Sequence, residues 1–254
     1  MNETPSHKRS YDSRIQFYGE AGLLVQFDET QTVSARKTVI ALNQQLLALN
    51  LRGVESTTPS YVSLLVIYDP RIISGSYLAS VLTKLLEDPS AESLSKKYDV
   101  KSTSWLLPTL FVEAKDEDAL ALQDEVGLTW SHIIETFCRA PYRVNALGFL
   151  PGFTYLGDLP TELHCRRLAI PRVRIPSSSV AIAGQQAGIY PMDSPGGWRV
   201  IGRLPFSIFD QKRPSPAVFS PNDQITFIPA SKRLFSDLAR TAEKGELNLD
   251  RFKQ

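Results

Sequence analysis

The residues best suited to chemistry lie in one stretch, residues 145–203, which glycine and proline interrupt every few positions. Acidic residues are few here, at Asp158, Glu162 and Asp193. Arginine presents a planar fork of donors that matches a carboxylate or phosphate group. The stretch therefore predicts a site for a small anionic ligand. All of its basic residues are arginines, and they are Arg166, Arg167, Arg172, Arg174, Arg199 and Arg203.

Two segments of this stretch, residues 148–155 and 186–198, combine turn residues with polar or aromatic side chains. Segments of this composition form loops on a strand scaffold, which is where binding groups tend to lie. We predict that the two segments meet at one mouth of a barrel and line a ligand cleft. The predicted substrate-binding residues are Pro151, Gly152, Phe153, Tyr155, Arg172, Gln186, Tyr190, Gly196, Gly197, Trp198 and Arg199.

Each of these residues also has a structural interpretation. Phe153 and Tyr155 fit a hydrophobic core equally well, and Gln186 fits a hydrogen bond that closes a loop. Arg172 and Arg199 fit ordinary surface or interdomain ion pairs. The glycines fit tight turns that need positive φ, although two adjacent glycines can also expose backbone amides to an anion. These glycines are Gly148, Gly152, Gly157, Gly184, Gly188, Gly196, Gly197 and Gly202.

The sequence marks no catalytic residue. The chain has no GxxxxGK[ST] phosphate-binding loop, and nothing in it signals a serine–histidine–acid triad. Its histidines, His7, His132 and His164, lack zinc-ligand spacing, so we expect no metal site. The catalytic groups stay unassigned, which favours a site shared with another polypeptide.

Composition excludes several classes of protein. The formal charge is +1, from 28 basic and 27 acidic residues in 254, whereas nucleic-acid-binding proteins usually show a strong basic excess. The two cysteines, Cys138 and Cys165, argue against a disulfide framework and fit a reducing compartment. No apolar run has the length of a membrane span, and the N-terminal residues lack the apolar core of a signal peptide. We therefore expect a cytoplasmic protein that binds neither nucleic acid nor membrane.

The first half of the chain predicts a small α/β domain. Apolar spacing indicates strands at 15–18, 23–27, 54–57 and 61–68, and helices at 30–49 and 76–87. The order β-β-α-β-β-α packs as a sheet with helices on one face. Residues 1–14 are expected to form a disordered tail, and the polar segment 88–104 a linker, so that the first domain spans residues 15–100.

The second half, residues 101–254, predicts mostly short strands with a few helices. Apart from the glycine- and proline-rich stretch at 145–203, strands are indicated at 105–113, 142–147, 206–209 and 224–228, and helices at 116–126, 129–137 and from 231 onwards. Pro108 favours an edge position for the first of these strands. Many short strands favour a closed barrel, because closure removes exposed edges. The predicted fold class is therefore α+β.

Four motifs occur in order along the chain: GFLPGFTYLGDL, the RxxxPR element at Arg167–Arg172, SSVAIAGQQAGIYP and SPGGWRVIGR. Together with SYVSLLVIYDP and SPNDQITF, they resemble the bacterial 5-oxoprolinase B-subunit family over about residues 15–229. The family is also known as allophanate hydrolase subunit 1 and as the sporulation-kinase-inhibitor family. The resemblance implies a small N-terminal α/β sandwich domain followed by a cyclophilin-like β-barrel.

The resemblance also implies a function. Family members act with a C subunit and an A subunit in a complex that uses ATP to open the lactam 5-oxo-L-proline to L-glutamate. The chain would be inactive alone, and its sequence does not show which subunit of the complex binds ATP. Two alternatives stay open: an inhibitor of a sensor histidine kinase, and half of a urea- or allophanate-type carboxyltransferase.

The chain departs from the family pattern at four notable positions. Phe137 stands where the family usually has a histidine, and Ala187 where it has a threonine. Ser178 and Asn222 stand in turns where the family has glycine. Asn tolerates positive φ, so the last change is expected to be mild. The other changes affect activity only if those side chains touch the substrate.

Overall fold

The computed structural model of the chain describes residues 12, 14–27, 32–87 and 102–254. The chain divides into two compact units, residues 1–100 and 101–254. The predicted tail, 1–14, and the predicted linker, 88–104, lie mostly outside the described residues. The assignment of these units as separate folding domains stays a prediction.

In its described residues, the first unit is a four-stranded antiparallel sheet with two helices. The strand order is β1-β2-β4-β3, and the predicted β-β-α-β-β-α sequence of elements is confirmed. Its elements are β1 (Ile15–Phe17), β2 (Gly22–Gln26), α1 (Thr32–Ala48), β3 (Val54–Pro59), β4 (Ser63–Tyr68) and α2 (Gly75–Glu87).

Alternation along the strands makes this unit a two-layer sandwich. On β4, Leu64, Val66 and Tyr68 are buried while the residues between them are half-buried. These side chains share one hydrophobic cluster with Leu46 of α1 and Leu78 of α2. Because one strand face carries the buried side chains, both helices pack on that face.

The turn after β4 is held by an aspartate–arginine pair. Asp69 Oδ1 accepts hydrogen bonds from the backbone N–H and Nε of Arg71, both at 2.9 Å, and Oδ2 accepts from Nη2 at 2.7 Å. The hydrogen bonds from the Arg71 side chain lower the pKa of Asp69 from 3.8 to about 2, with a smaller contribution from the backbone bond. The charged carboxylate is therefore the form that stabilises the fold.

We expect Asp69→Asn to be less stable than the wild type at pH 7, with the difference shrinking as the pH falls from about 4 towards 2. The folded pKa is depressed, so the stabilisation is complete above the unfolded value and is lost as the carboxylate takes up a proton. Thermal unfolding of both proteins across this pH range measures the difference. A difference that stays constant from pH 7 to 2 would contradict a stabilising role for the charged Asp69–Arg71 pair.

The second unit is built on a closed seven-stranded barrel, so the predicted α+β class with a barrel is confirmed. The barrel order is β10-β7-β6-β13-β5-β12-β9, and pairing of β9 with β10 closes it. The β5–β13 pair is parallel, and the strands β8 and β11 form a separate two-stranded sheet. The strands are β5 (Ser104–Phe111), β6 (Tyr142–Leu147), β7 (Thr154–Gly157), β8 (Arg172–Ile175), β9 (Ser179–Ala183), β10 (Gln186–Ile189), β11 (Ser194–Gly196), β12 (Arg199–Arg203) and β13 (Gln224–Pro229), and the helices are α3 (Glu117–Val126), α4 (Trp130–Arg139) and α5 (Lys232–Glu243).

The helices of this unit begin within one residue of their predicted starts, and α4 extends two residues past its predicted end, to Arg139. Thr129 caps α4 by accepting a hydrogen bond from the His132 N–H, and Ser231 caps α5 by accepting from the Leu234 N–H. Gly127 ends α3 in the left-handed conformation at φ 70°. In the part of the chain that the structure describes, no helix has the length and hydrophobicity of a membrane span.

Two strand predictions are wrong. Pro108 does not place β5 at an edge, because β5 lies between β13 and β12 in the closed barrel. The Thr109 carbonyl accepts a hydrogen bond from the Ala230 N–H, just past β13, so the Pro108 nitrogen points to the opposite side, towards β12. Within β5, β12 pairs with Leu110 and Phe111 only, so it does not need an N–H from Pro108. Residues 206–209 form no strand; only an isolated bridge joins Phe209 to Ala217. Prolines at 205, 214 and 216 surround that bridge and interrupt any ladder.

Candidate functional site

Strand alternation gives the barrel wall an inner and an outer face. On β9, Val180 and Ile182 belong to the main core, whereas Ala181 and Ala183 belong to a separate cluster on the other side of the wall. Four aromatic residues lie on this outer side, and we call them the outer aromatic cluster. They are Phe153, Tyr155, Tyr190 and Trp198.

The rings of the outer aromatic cluster are in direct contact. Phe153 is central, with ring centroids 4.6 Å from Tyr155, 4.9 Å from Tyr190 and 5.8 Å from Trp198. Tyr155 and Trp198 are 6.0 Å apart. The two predicted segments, 148–155 and 186–198, thus meet, but on the outer wall of the barrel instead of at its mouth.

Glycines make room for these rings. A Cβ added at Gly188 would lie 2.9 Å from Cζ3 of Trp198 and 3.1 Å from Cζ of Phe153, and one at Gly196 would collide with the Tyr190 hydroxyl. Among the eight glycines of the stretch, only Gly152 and Gly184 have positive φ, at 81° and 61°. The prediction that most of them serve turns is therefore wrong: several serve close packing instead.

A guanidinium group lies at the edge of the cluster. The Arg167 Cζ is 5.8 Å from the Trp198 ring centroid, and no carboxylate pairs with Arg167 among the described residues. Burial raises the pKa of Tyr190 to about 12 and also raises the pKa of Tyr155, although the charge of Arg167 acts in the opposite direction on both. Both hydroxyls are therefore neutral donors near neutral pH. Arg167 is part of a family motif in the sequence, but it was not among the predicted site residues.

Amide side chains lie beside the cluster. Gln186 is half-buried and shares a strand face with Gly188, two residues along β10. The pairing of Ala187 with Leu156 places Gln186 beside Gly157 of β7. The buried Asn145 amide occupies the space where a Cβ on Gly157 would lie. Asn145 is a residue that sequence reasoning missed, since only the fold brings it to this edge.

The two arginines predicted to hold a carboxylate are already paired with helix α3. Arg172 makes a bidentate pair with Asp118, at 2.9 Å from Nη1 to Oδ2 and 2.8 Å from Nη2 to Oδ1. Asp118 Oδ2 also accepts the Val200 N–H at 2.7 Å, and Arg199 Nη2 lies 2.6 Å from Glu125 Oε2. The geometry therefore matches the ion-pair interpretation of these arginines, and their role is to fasten α3 to β8 and β12.

Glu125 also accepts a hydrogen bond from a second arginine, Arg166. Its Oε1 accepts the Arg166 N–H at 2.7 Å. Burial alone would raise the pKa of Glu125, but the hydrogen bonds from Arg166 and Arg199 outweigh it and hold the pKa below its ordinary value. Asp118 and Glu125 lie on one helix at a spacing of seven, which puts them on the same face. Neither acid was predicted as part of the site.

The remaining predicted residues lie at the margin of the cluster. Pro151 is exposed in the turn before β7, and Gly152 in the same turn packs against the Phe209 side chain. Gly197 accepts the Leu168 N–H through its carbonyl at 2.7 Å. The structure therefore brings Phe153, Tyr155, Tyr190, Gly196 and Trp198 together, and places the other predicted residues around them.

The side chains that depart from the family pattern make their contacts elsewhere, although the Ser178 N–H donates to the carbonyl of Tyr190 in the cluster at 2.7 Å. Phe137 is fully buried, with its ring 4.8 Å from Tyr142 and 5.0 Å from Phe227, and Ala187 is also in the main core. Ser178 adopts φ 64° and donates its hydroxyl to the Phe206 carbonyl at 2.9 Å. Asn222 adopts φ 79°, as the mild-change prediction requires.

Neither a metal cluster nor an activated thiol is found in the described residues. No three His, Cys, Asp or Glu side chains there are arranged to hold a metal ion. Cys138 and Cys165 are both free, and burial raises the pKa of each thiol to about 11. Such thiols are poor nucleophiles at neutral pH.

Comparison with known proteins identifies the family. The sequence model described as "Carboxyltransferase domain, subdomain C and D" matches residues 13–219. The chain is 30% identical to the 5-oxoprolinase B subunit of Escherichia coli O157:H7 over 218 residues, which cover 85% of this chain and 96% of that protein. The chain therefore belongs to the carboxyltransferase subdomain C and D family, as its motifs predicted.

Solved structures share the fold. The crystal structure of TTHA0988 matches with a TM-score of 0.71 and 30% identity, over 84% of this chain and 40% of that one. This chain thus spans less than half the length of TTHA0988. The urea carboxylase of Kluyveromyces lactis matches with a TM-score of 0.69 over 92% of this chain and 23% of its own, at 17% identity. That level of identity supports the shared fold alone.

Proposed function

We propose that this chain is the B subunit of a cytoplasmic, ATP-dependent 5-oxoprolinase, which opens 5-oxo-L-proline to L-glutamate together with the A and C subunits. The observation that carries the proposal is the 30% identity to a 5-oxoprolinase B subunit over 96% of that protein's length. A relation that spans the whole relative favours a shared role in one assembly over the reuse of a fold for an unrelated function.

The outer aromatic cluster offers the groups that such a lactam needs. The substrate is a small ring that carries an amide and a carboxylate, and Tyr155, the half-buried member of the cluster, offers an aromatic surface on which a ring can pack, with the buried Trp198 ring behind it. Gln186 carries both a donor and an acceptor, which match a lactam carbonyl and N–H. Arg167, which has no carboxylate partner among the described residues, can pair with the substrate carboxylate.

The chemistry is proposed to need the other members of the complex. An amide carbonyl is a poor electrophile, so ATP supplies the activation by phosphorylating it. This chain has no phosphate-binding loop motif, and the sequence marks no nucleophile or general base. We therefore assign binding and orientation of the substrate to this chain, and expect the chain to be inactive alone.

The carboxyltransferase alternative is supported by the carboxyltransferase-domain family match and by the fold shared with urea carboxylase. The match to urea carboxylase has 17% identity, compared with 30% to the 5-oxoprolinase relative. It therefore explains the architecture of the chain, whereas the higher identity bears on its role. No feature of the described residues favours the kinase-inhibitor alternative.

We expect the variants Arg167→Ala, Gln186→Ala and Tyr155→Phe to lower kcat/KM for 5-oxoproline in the complex reconstituted with the A and C subunits. Charge-assisted hydrogen bonds contribute about 1.5–3 kcal/mol, so loss of Arg167 should cost roughly ten- to a hundredfold. Each variant is assembled with ATP and 5-oxoproline, and glutamate formation is measured. The chain alone should give no turnover.

A matched control is Arg139→Ala, because Arg139 is an exposed arginine on α4 that pairs with Glu135. It should leave kcat/KM unchanged. If all three cluster variants assemble and turn over like the wild type, the substrate binds elsewhere. If the assembled wild-type complex releases no glutamate from 5-oxoproline, the proposed function itself is wrong.

A further inference from the structure

We propose that the exposed side of β8 and the segment before it form the docking surface for the C subunit. We call this the β8 surface, and its residues are Arg166, Ala169, Ile170, Val173 and Arg174. The inference rests on the proposed function for the identity of the partner. Its location rests on exposure, an open strand edge, an apolar groove and charge.

Large apolar side chains are unusually exposed at the β8 surface. Val173 is 90% and Ile170 84% exposed, and Phe149, whose ring is 5.7 Å from Phe153, is 68% exposed. Single exposed apolar residues need no explanation, but several around one site indicate an interface. The segment that carries Ile170 is tied to the cluster, because the Leu168 N–H bonds to the Gly197 carbonyl next to Trp198.

The β8 strand can accept a further strand. Among the described residues it pairs only with β11, so its other edge is open. A groove of about 390 Å³ lies between β8 and the wall formed by β5 and β12. Its lining includes Phe111, Ile175 and Val200, and is mostly apolar. An exposed edge beside an apolar groove fits an extended apolar segment that adds to the sheet.

The charge of the surface defines that segment further. The side chains of Arg166 and Arg174 are 90% and 73% exposed. Arg174 pairs with Asp193 at 2.6 Å, while Arg166 shares the carboxylate of Glu125 with Arg199. The groove lining adds Arg172 and Arg203 to these arginines and Asp116, Glu117 and Asp118 to the acids, so the positive excess is a single charge. That charge is Arg167, which lies nearby and has no carboxylate partner in the part of the chain that the structure describes. The partner segment should therefore be apolar, with a carboxylate placed for Arg167.

Docking at this surface would place the partner over the outer aromatic cluster. The partner would exclude water from the site and supply the catalytic groups that this chain does not show. In TTHA0988, the matching region makes up 40% of a longer chain, so a related module is covalently joined to additional polypeptide there. A separate polypeptide that binds this chain would fulfil the corresponding need in this protein.

The test is the affinity of the purified chain for the purified C subunit, measured by isothermal titration calorimetry. The double variant Ile170→Asp/Val173→Asp should bind about 100-fold more weakly or not detectably. Both side chains are exposed, so folding should be unaffected, and circular dichroism and the thermal midpoint check this. The control Leu234→Asp changes an exposed leucine in the first turn of α5 and should bind within about twofold of the wild type.

A further variant tests the contribution of charge to binding at the β8 surface. Arg174→Glu should weaken binding by about tenfold at low salt, and the difference should shrink as ionic strength rises. Wild-type affinity of the folded double variant would overturn the proposal, and so would failure of the wild-type chain to bind the C subunit. If the wild-type chain binds this partner and the double variant does not, but the complex fails to turn over 5-oxoproline, then the docking surface stands and the proposed function fails.

Discussion

Replacing Gly188 with valine should lower kcat/KM for 5-oxoproline in the assembled complex by about 100-fold or more. Gly188 lies on β10 opposite Tyr155 of β7 and Ala181 of β9, beneath the outer aromatic cluster. An added Cβ alone would lie 2.9 Å from Trp198, and the two methyl groups of valine would reach further. The rings must therefore move, and the binding surface they form would be lost.

The control for this variant is Gly148→Ala. Gly148 belongs to the same stretch, but an added Cβ there meets nothing within 4 Å, and its φ is not positive. It should retain wild-type kcat/KM. Overpacking at Gly188 is expected to cost about 1–3 kcal/mol of stability, so the thermal midpoint and complex assembly are measured alongside turnover. Wild-type turnover by a folded, assembled Gly188→Val complex would exclude the cluster as the binding site.

Replacing Asp118 with asparagine should lower the free energy of unfolding by about 1.5–3 kcal/mol. Asp118 is buried on α3 and accepts three hydrogen bonds, two from Arg172 and one from the Val200 N–H. Asparagine keeps the shape but has no charge, and its NH₂ group cannot accept from a donor. One guanidinium N–H or the Val200 N–H would then lack an acceptor inside the fold.

The neighbouring Glu117 provides the matched control. Its carboxylate is 3.8 Å from the same Arg172 guanidinium, but its side chain is 91% exposed compared with 9% for Asp118. Glu117→Gln should change stability by no more than about 0.5 kcal/mol, because exposed ion pairs contribute little. Urea denaturation of the two variants separates the effects. Equal losses for both would show that charge alone, and not burial, determines the contribution of the pair.

Helix α3 supports both the outer aromatic cluster and the β8 surface. Helix α3 holds β8 through the Asp118–Arg172 pair, and it holds β12 and the segment before β8 through Glu125, Arg199 and Arg166. The proposed docking surface and the outer aromatic cluster thus share a support. Asp118→Asn is therefore expected to weaken binding of the C subunit moderately, as an indirect consequence of a loosened β8.

The sequence by itself determined the elements whose signals are local. The β-branched and aromatic residues of 61–68 indicate a strand and the apolar spacing in 76–87 indicates a helix whichever fold surrounds them, and both are present as β4 and α2. Thr129, Ser231 and Gly127 act through hydrogen bonds or backbone angles within a few residues. The order of the motifs was enough to identify the family, because motifs and their order are read directly from the sequence without knowledge of the fold.

Only the tertiary structure decided which residues meet and which side of the wall they face. Arg172 pairs with an acid 54 residues away and Arg199 with one 74 residues away, and no local pattern distinguishes such a pair from a ligand-binding arginine. Alternation shows that Ala181 and Val180 face opposite sides, but closure of the barrel decides which side is the interior. Pro108 is tolerated inside the barrel because the pairing of β12 with β5 stops before it reaches the Pro108 nitrogen. Where that pairing stops depends on the strand lengths of the whole barrel, which no local pattern shows.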